Sequence, residues 1–180
     1  MMVPVTLAIT IGAKACTAKW RNTTSNANSA PAIGALNEAD TAAAIERAEA
    51  AEAAEAAIQD SGIDRETIDQ IIFAHNFGNV PKTGFHNDLL PNLSARVKHK
   101  LGIQNEMCVA YDILFGCPGW VQGIIQGHLY IKAGAAKRIL VIGADLMSRM
   151  VDNNDLDSML FSDGAGACIL EAEESDEAAG

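Results

Sequence analysis

The apolar and polar positions of this chain fall into blocks that switch between a helical period and a strand period. Residues 41–62, "TAAAIERAEAAEAAEAAIQDSG", are dominated by alanine and glutamate, both strong helix formers. They predict a helix opened by Asp40 or Thr41 and stopped by Gly62. "DQIIFAHN" is a short apolar run and predicts a buried strand. "FGNVPKTGFHNDLLP" reads as a loop punctuated by glycine and proline. In "NLSARVKHKLG", Leu93, Val97 and Leu101 lie four apart on one helical face, and Gly102 stops the helix.

The second half repeats the alternation. "EMCVAYDILF" predicts a strand, and "PGWVQGIIQGHLYIKAG" a helix that opens on proline and closes at Gly134. Within it Gly123 and Gly127 lie four apart, which lets another part of the backbone come close, while Ile124, Ile125, Leu129 and Ile131 spread apolar surface around the rest. That distribution predicts a buried central helix. "RILVIGAD" is continuously apolar, as expected of a strand covered on both faces. A polar loop, "MSRMVDNNDLDS", and a glycine-containing turn, "SDGAG", lead into a last strand, "AGACILEA". Strands alternating with helices predict an α/β fold with a mostly parallel sheet. Residues 1–40 are rich in Asn, Ser, Thr and Ala and read as an atypical segment of loop or weak structure. Residues 41–172 form the organised unit, and 173–180 an acidic tail.

Charge narrows the function classes. The chain carries 23 acidic and 13 basic residues, a net charge of −10, which argues against a nucleic-acid surface. The cluster "RVKHK" reads as a solvated helix face. No apolar run reaches the ~18 residues of a membrane span. The apolar start lacks the basic region of a signal peptide. Cys16, Cys108, Cys117 and Cys168 form no CxxC pair, and His75, His86, His99 and His128 show no zinc spacing. Scattered thiols point to a reducing cytoplasm.

One cysteine stands apart. In "YDILFGCPGWVQG" Cys117 lies between a strand and a helix, flanked by Gly116 and Pro118. Active groups in such sheets gather at the carboxyl ends of the strands. The helix N-terminus favours a thiolate, the flanking glycines leave room for a substrate carbonyl, and the backbone N–H of Cys117 can serve an oxyanion. The alternative is a packed core thiol, the commonest fate of a free cysteine.

"YDILFGCPGWVQGIIQGHLYIKAGAAKRILVIGAD" followed by "SRMVDNNDLDSMLFSDGAGACILEA" resembles the thiolase-fold condensing enzymes, in particular β-ketoacyl-acyl-carrier-protein synthase III. The resemblance spans residues 63–172 and implies an N-terminal thiolase-like half. It also implies a decarboxylative Claisen condensation through an acyl-cysteine at Cys117. Acyl-CoA and malonyl-ACP would be the substrates, and no cofactor would be permanently bound. Met147 and Phe161 match positions lining the acyl pocket, and Leu90 one that reaches across a dimer interface into the partner's pocket. Acyl carrier protein, acyl-CoA and a second copy, or a partner supplying the other half, are the implied partners.

The family's His and Asn belong to the second half of its fold and have no counterpart motif in these residues. These 180 residues by themselves are therefore expected not to complete the condensation. "AKWRNTTSNANSA", with Trp20 and Arg21, stands where the family has a Thr-Gly-Ile-x-x-Arg segment, and Leu156 where it commonly has an arginine. Two other readings stay open: a non-catalytic pairing half, and another acyl-transferring member of the fold.

Overall fold

The computed structural model describes residues 5–11, 38–79, 90–152 and 154–174. Its elements are β1 (Val5–Ile11), α1 (Glu38–Ser61), β2 (Gln70–His75), α2 (Leu93–Lys100), β3 (Val109–Leu114), α3 (Gly119–Lys132), β4 (Arg138–Asp145) and β5 (Gly164–Glu174). The strands form one sheet in the order β1-β5-β4-β2-β3. β2 lies parallel to β3 and β4, because the crossovers through α2 and α3 bring the chain back to start each strand at the same end. No α-helix separates β4 from β5; the connection holds two short 3-10 turns, Met147–Arg149 and Leu156–Leu160, and β5 returns antiparallel. β1 pairs antiparallel with β5, so four of the described strands point one way and β5 runs against them.

β1 falls inside the segment expected to be loop or weak structure. Its sequence, "VTLAITI", places apolar residues at every second position, the period of a strand with one covered face. As an outer strand it depends on β5 for all its described pairing, a partner more than 150 residues away.

The period of two sorts the inner strands onto two layers. Ile71, Phe73, Leu140, Ile142 and Ile169 face one core with the alanines of α1 and with Leu93, Val97 and Leu101 of the α2 region. Ile72, Ile139, Val141, Cys168 and Leu170 face the other, beneath α3. Both faces of β4 are therefore covered, as its continuous apolar run predicts.

α3 meets the sheet through glycines. A Cβ on Gly123 would lie 2.9 Å from Val141 Cγ1, and one on Gly127 2.6 Å from Leu170 Cδ1, so only bare backbone fits at this distance. Burial is nevertheless one-sided. Gly119, Gly123, Gly127 and Ile131 are buried. Val121, Ile125 and Leu129 remain 53%, 47% and 57% exposed. The expectation of a helix buried all round holds for its inner face only, because the sheet covers one side and no described element lies on the other.

Candidate active site

β3 ends at Leu114, α3 begins at Gly119, and Cys117 occupies the turn between them. The turn closes by a hydrogen bond from the Gly119 N–H to the Gly116 carbonyl, 2.9 Å. Gly116 has φ +65°, a left-handed conformation that glycine adopts without strain. The Cys117 side chain is exposed, whereas Cys108 and Cys168 are buried. Burial raises both buried thiols, Cys168 to about 11. Among the described residues the Cys117 N–H meets no hydrogen-bond acceptor, which leaves it available to a developing oxyanion. A nucleophilic sulfur and a free amide donor on one residue, at the start of a helix, suit attack on an acyl carbonyl.

Two polar clusters flank this turn, and neither was singled out from the sequence. The first follows β2. The Asn76 backbone N–H donates to Asp145 Oδ1 at 2.8 Å, and its side-chain Nδ2 to Asp145 Oδ2 at 2.6 Å. Both donors of Asn76 are thus held by the carboxylate that ends β4. Its Oδ1 faces the nucleophile turn, 3.3 Å from where a Cβ on Gly116 would be. Burial raises Asp145 above the ordinary carboxylate value, and the hydrogen bonds from Asn76 oppose that rise.

The second cluster centres on Asp112, a carboxylate inside β3. It accepts from the N–H groups of Leu93 and Ser94 at 2.8 and 2.9 Å, anchoring the start of α2. His75, 2% exposed, lies 3.1 Å from Asp112 through Nε2. Its Nδ1 accepts from the Gly78 N–H at 2.9 Å, so the ring proton sits on Nε2 and is donated to Asp112. Burial pushes Asp112 up, but the bonds from His75, Ser94 and Leu93 outweigh it and hold the group below its ordinary 3.8. His75, Gly78, Leu93 and Asp112 line a cavity of about 260 Å³ together with Asn79, Asn92 and Leu114.

Of the other positions expected from the sequence, Met147 is the one with a contact that leads to this turn. Met147 is partly buried, its sulfur 3.9 Å from Asn76 Nδ2, which connects it to the Cys117 turn through one residue. Phe161 is 53% exposed beyond the second 3-10 turn. The two loops are tied by Ser148, whose N–H and hydroxyl bond Asp163 at 2.8 and 2.6 Å. Leu90 is 81% exposed. Leu156, where an arginine was expected, is 78% exposed. Cys16, Trp20, Arg21 and His86 lie outside the described residues. Among the described residues no group of His, Cys, Asp and Glu gathers to hold a metal ion, and no helix is long and apolar enough to cross a membrane. The signals for the missed residues were an aspartate within the apolar run "VAYDIL", another ending "LVIGAD", and a His–Asn pair ending "IIFAHN".

Residues 111–180 match the profile of the family described as 3-oxoacyl-[acyl-carrier-protein (ACP)] synthase III. The β-ketoacyl-[acyl-carrier-protein] synthase III of Bradyrhizobium diazoefficiens is 38% identical over 119 residues, covering 66% of this chain and 33% of that protein. The corresponding synthase of Neisseria meningitidis serogroup B is 41% identical over 120 residues, 66% of this chain and 35% of that protein. The crystal structure of 3-oxoacyl-[acyl-carrier-protein] synthase III from Aquifex aeolicus superimposes with a TM-score of 0.64 at 29% identity, over 72% of this chain and 39% of that one. The matched region spans about a third of the length of these curated relatives. The elbow at Cys117, the glycine-faced helix behind it and the return of β5 beside β4 all lie within that match, so this part of the chain is similar, in sequence and in fold, to the corresponding part of the synthase III condensing enzymes.

Proposed function

We propose that this protein is a 3-oxoacyl-ACP synthase III-type acyltransferase in which Cys117 accepts the acyl group. The observation that carries this reading is an exposed thiol on a left-handed glycine turn at the start of α3, beside an unused backbone donor. The Cys117 thiolate attacks the carbonyl carbon of an acyl-CoA, the Cys117 N–H steadies the oxyanion, and coenzyme A leaves as its thiolate. With the second half of the fold supplying the donors that decarboxylation needs, malonyl-ACP then loses carbon dioxide, its carbanion attacks the acyl carbon, and the Cys117 sulfur departs. Met147 and Phe161 line the acyl chain's path, and Leu90 reaches a second copy's pocket. Acyl carrier protein and acyl-CoA are the partners in this reading, the assembly is a homodimer, and the reaction takes place in the cytoplasm with no permanently bound cofactor.

The test is single-turnover incubation with labelled acetyl-CoA followed by peptide mass mapping. Stoichiometric label on Cys117, absent in Cys117→Ser, is the expected result. A folded protein that takes no label there overturns the reading. The apolar outer face of α3 favours a second one, in which this part acts only when another segment or a partner covers Val121, Ile125 and Leu129. Acylation that appears only with a partner polypeptide added would favour it.

A further inference from the structure

The nucleophile turn is held from outside its own strand and helix. Gly116 has no side chain, and Cys117 is exposed, so neither can anchor the turn by burial. What lies against Gly116 is the Asn76 amide oxygen, at 3.3 Å from the position of a Cβ. That oxygen has a fixed place because both donors of Asn76 are occupied. The backbone N–H and Nδ2 grip the two oxygens of Asp145 at 2.8 and 2.6 Å, so neither the main chain nor the amide can turn without losing a charge-assisted bond. Asp145 itself ends β4, whose residues Leu140, Val141 and Ile142 are fully buried. A rigid line therefore runs from the centre of the sheet through Asp145 and Asn76 to the turn carrying the thiol.

We propose that Asn76 is a positioning residue for Cys117: clamped by Asp145, its amide oxygen forms the wall against which the Gly116 turn sets the thiol. The inference rests on Cys117 being the acyl acceptor, but its geometry does not depend on which acyl group is accepted. Misplacing a nucleophile by about 1 Å can cost about 10²-fold in rate. The loss belongs to the chemical step, since Asn76 acts through the turn and not on the acyl donor.

The experiment compares the full-length protein with Asn76→Ala, with Asp145→Asn, and with the exchanged pair Asn76→Asp/Asp145→Asn. The exchange restores a side-chain hydrogen bond with donor and acceptor reversed and keeps an oxygen against Gly116. Maximal acylation of Cys117 by acetyl-CoA should fall about 10- to 100-fold in either single variant, with half-saturation moving less than about threefold. The exchanged pair should recover most of the rate. Single variants that fold and acylate at the parent rate overturn the proposal. So does an exchanged pair that folds yet stays as slow as the singles, which would mark a merely structural residue. Alkylation of Cys117 by iodoacetamide at fixed pH gives a readout independent of the acyl-transfer reading. If acetyl-CoA fails to label even the parent, a slowed alkylation in Asn76→Ala that the exchange restores still supports the positioning role. Equal alkylation rates in all forms overturn it.

Discussion

The two ends of the sheet use the same device for different ends. At the amino ends of the parallel strands, Asp69 Oδ2 accepts from the N–H groups of Lys137 and Arg138 at 2.6 and 3.0 Å, and the Glu66 carboxylate accepts from those of Gln104 and Asn105. Arg65 adds bonds to the Leu101 carbonyl at 2.6 Å and to Glu55 at 2.8 Å. These groups close turns between elements. At the carboxyl ends, Asp112 and Asp145 likewise collect backbone N–H groups, from Leu93, Ser94 and Asn76. There the carboxylates also hold side chains, His75 and Asn76, and the turn beside them presents an exposed thiol. A carboxylate on backbone amides is structural in itself. It serves a site only where the segment it fixes carries a reactive group, and among the described residues Cys117 places that at the carboxyl end.

The comparison breaks most sharply at the nucleophile. Cys117→Ser should lower acylation by at least about 10³-fold with little change in the urea midpoint, whereas Asp69→Asn should leave the rate per folded molecule unchanged. Acyl transfer that is insensitive to Cys117 but lost on changing Asp69 would invert the assignment of the two ends. Iodoacetamide sharpens the same contrast among the thiols. Peptide mapping of the native protein should find Cys117 modified first, with Cys108 and Cys168, buried and raised in pKa, reacting only after urea is added.

Stability comes next in size. Asp112→Asn exchanges a charge-assisted acceptor of three donors for an amide and should cost about 3 kcal/mol near neutral pH. Because Asp112 titrates below its ordinary 3.8 in the folded state, its contribution is complete above the unfolded value and lost as pH falls through the folded one. The gap between parent and variant, read from urea melts, should stay constant down to about pH 5 and close below about pH 4. A gap that widens with acid would show that the carboxylate is not stabilised by folding. The smallest effect is expected at the other end: Asp69→Asn weakens two backbone contacts near the surface and should cost about 1–2 kcal/mol. A cost exceeding that of Asp112→Asn would mean that the amino end, not the site end, holds the fold.

Residue order alone determined the alternation of helices and strands from residue 41 onward, the two-sided burial of "RILVIGAD", and Cys117 at the boundary of strand and helix. Each is a local property, carried by helix propensity, by period or by glycine and proline at a turn. The antiparallel return of β5 and the pairing of β1 with it were decided by tertiary structure, since strand direction depends on what lies between strands and on which partner lies beside them. The same holds for the glycine face of α3. Spacing shows that Gly123 and Gly127 share a face, but only packing shows that Val141 and Leu170 fill the space where side chains would be. It holds most strongly for the site's supports. Asn76 and Asp145 are 69 positions apart, and His75 and Asp112 are 37 apart. In sequence each is one polar residue at or near a strand end; the parallel pairing of β2 with β3 and β4 brings those ends together, and the cost of burying their charges and amides without partners makes them bond to one another.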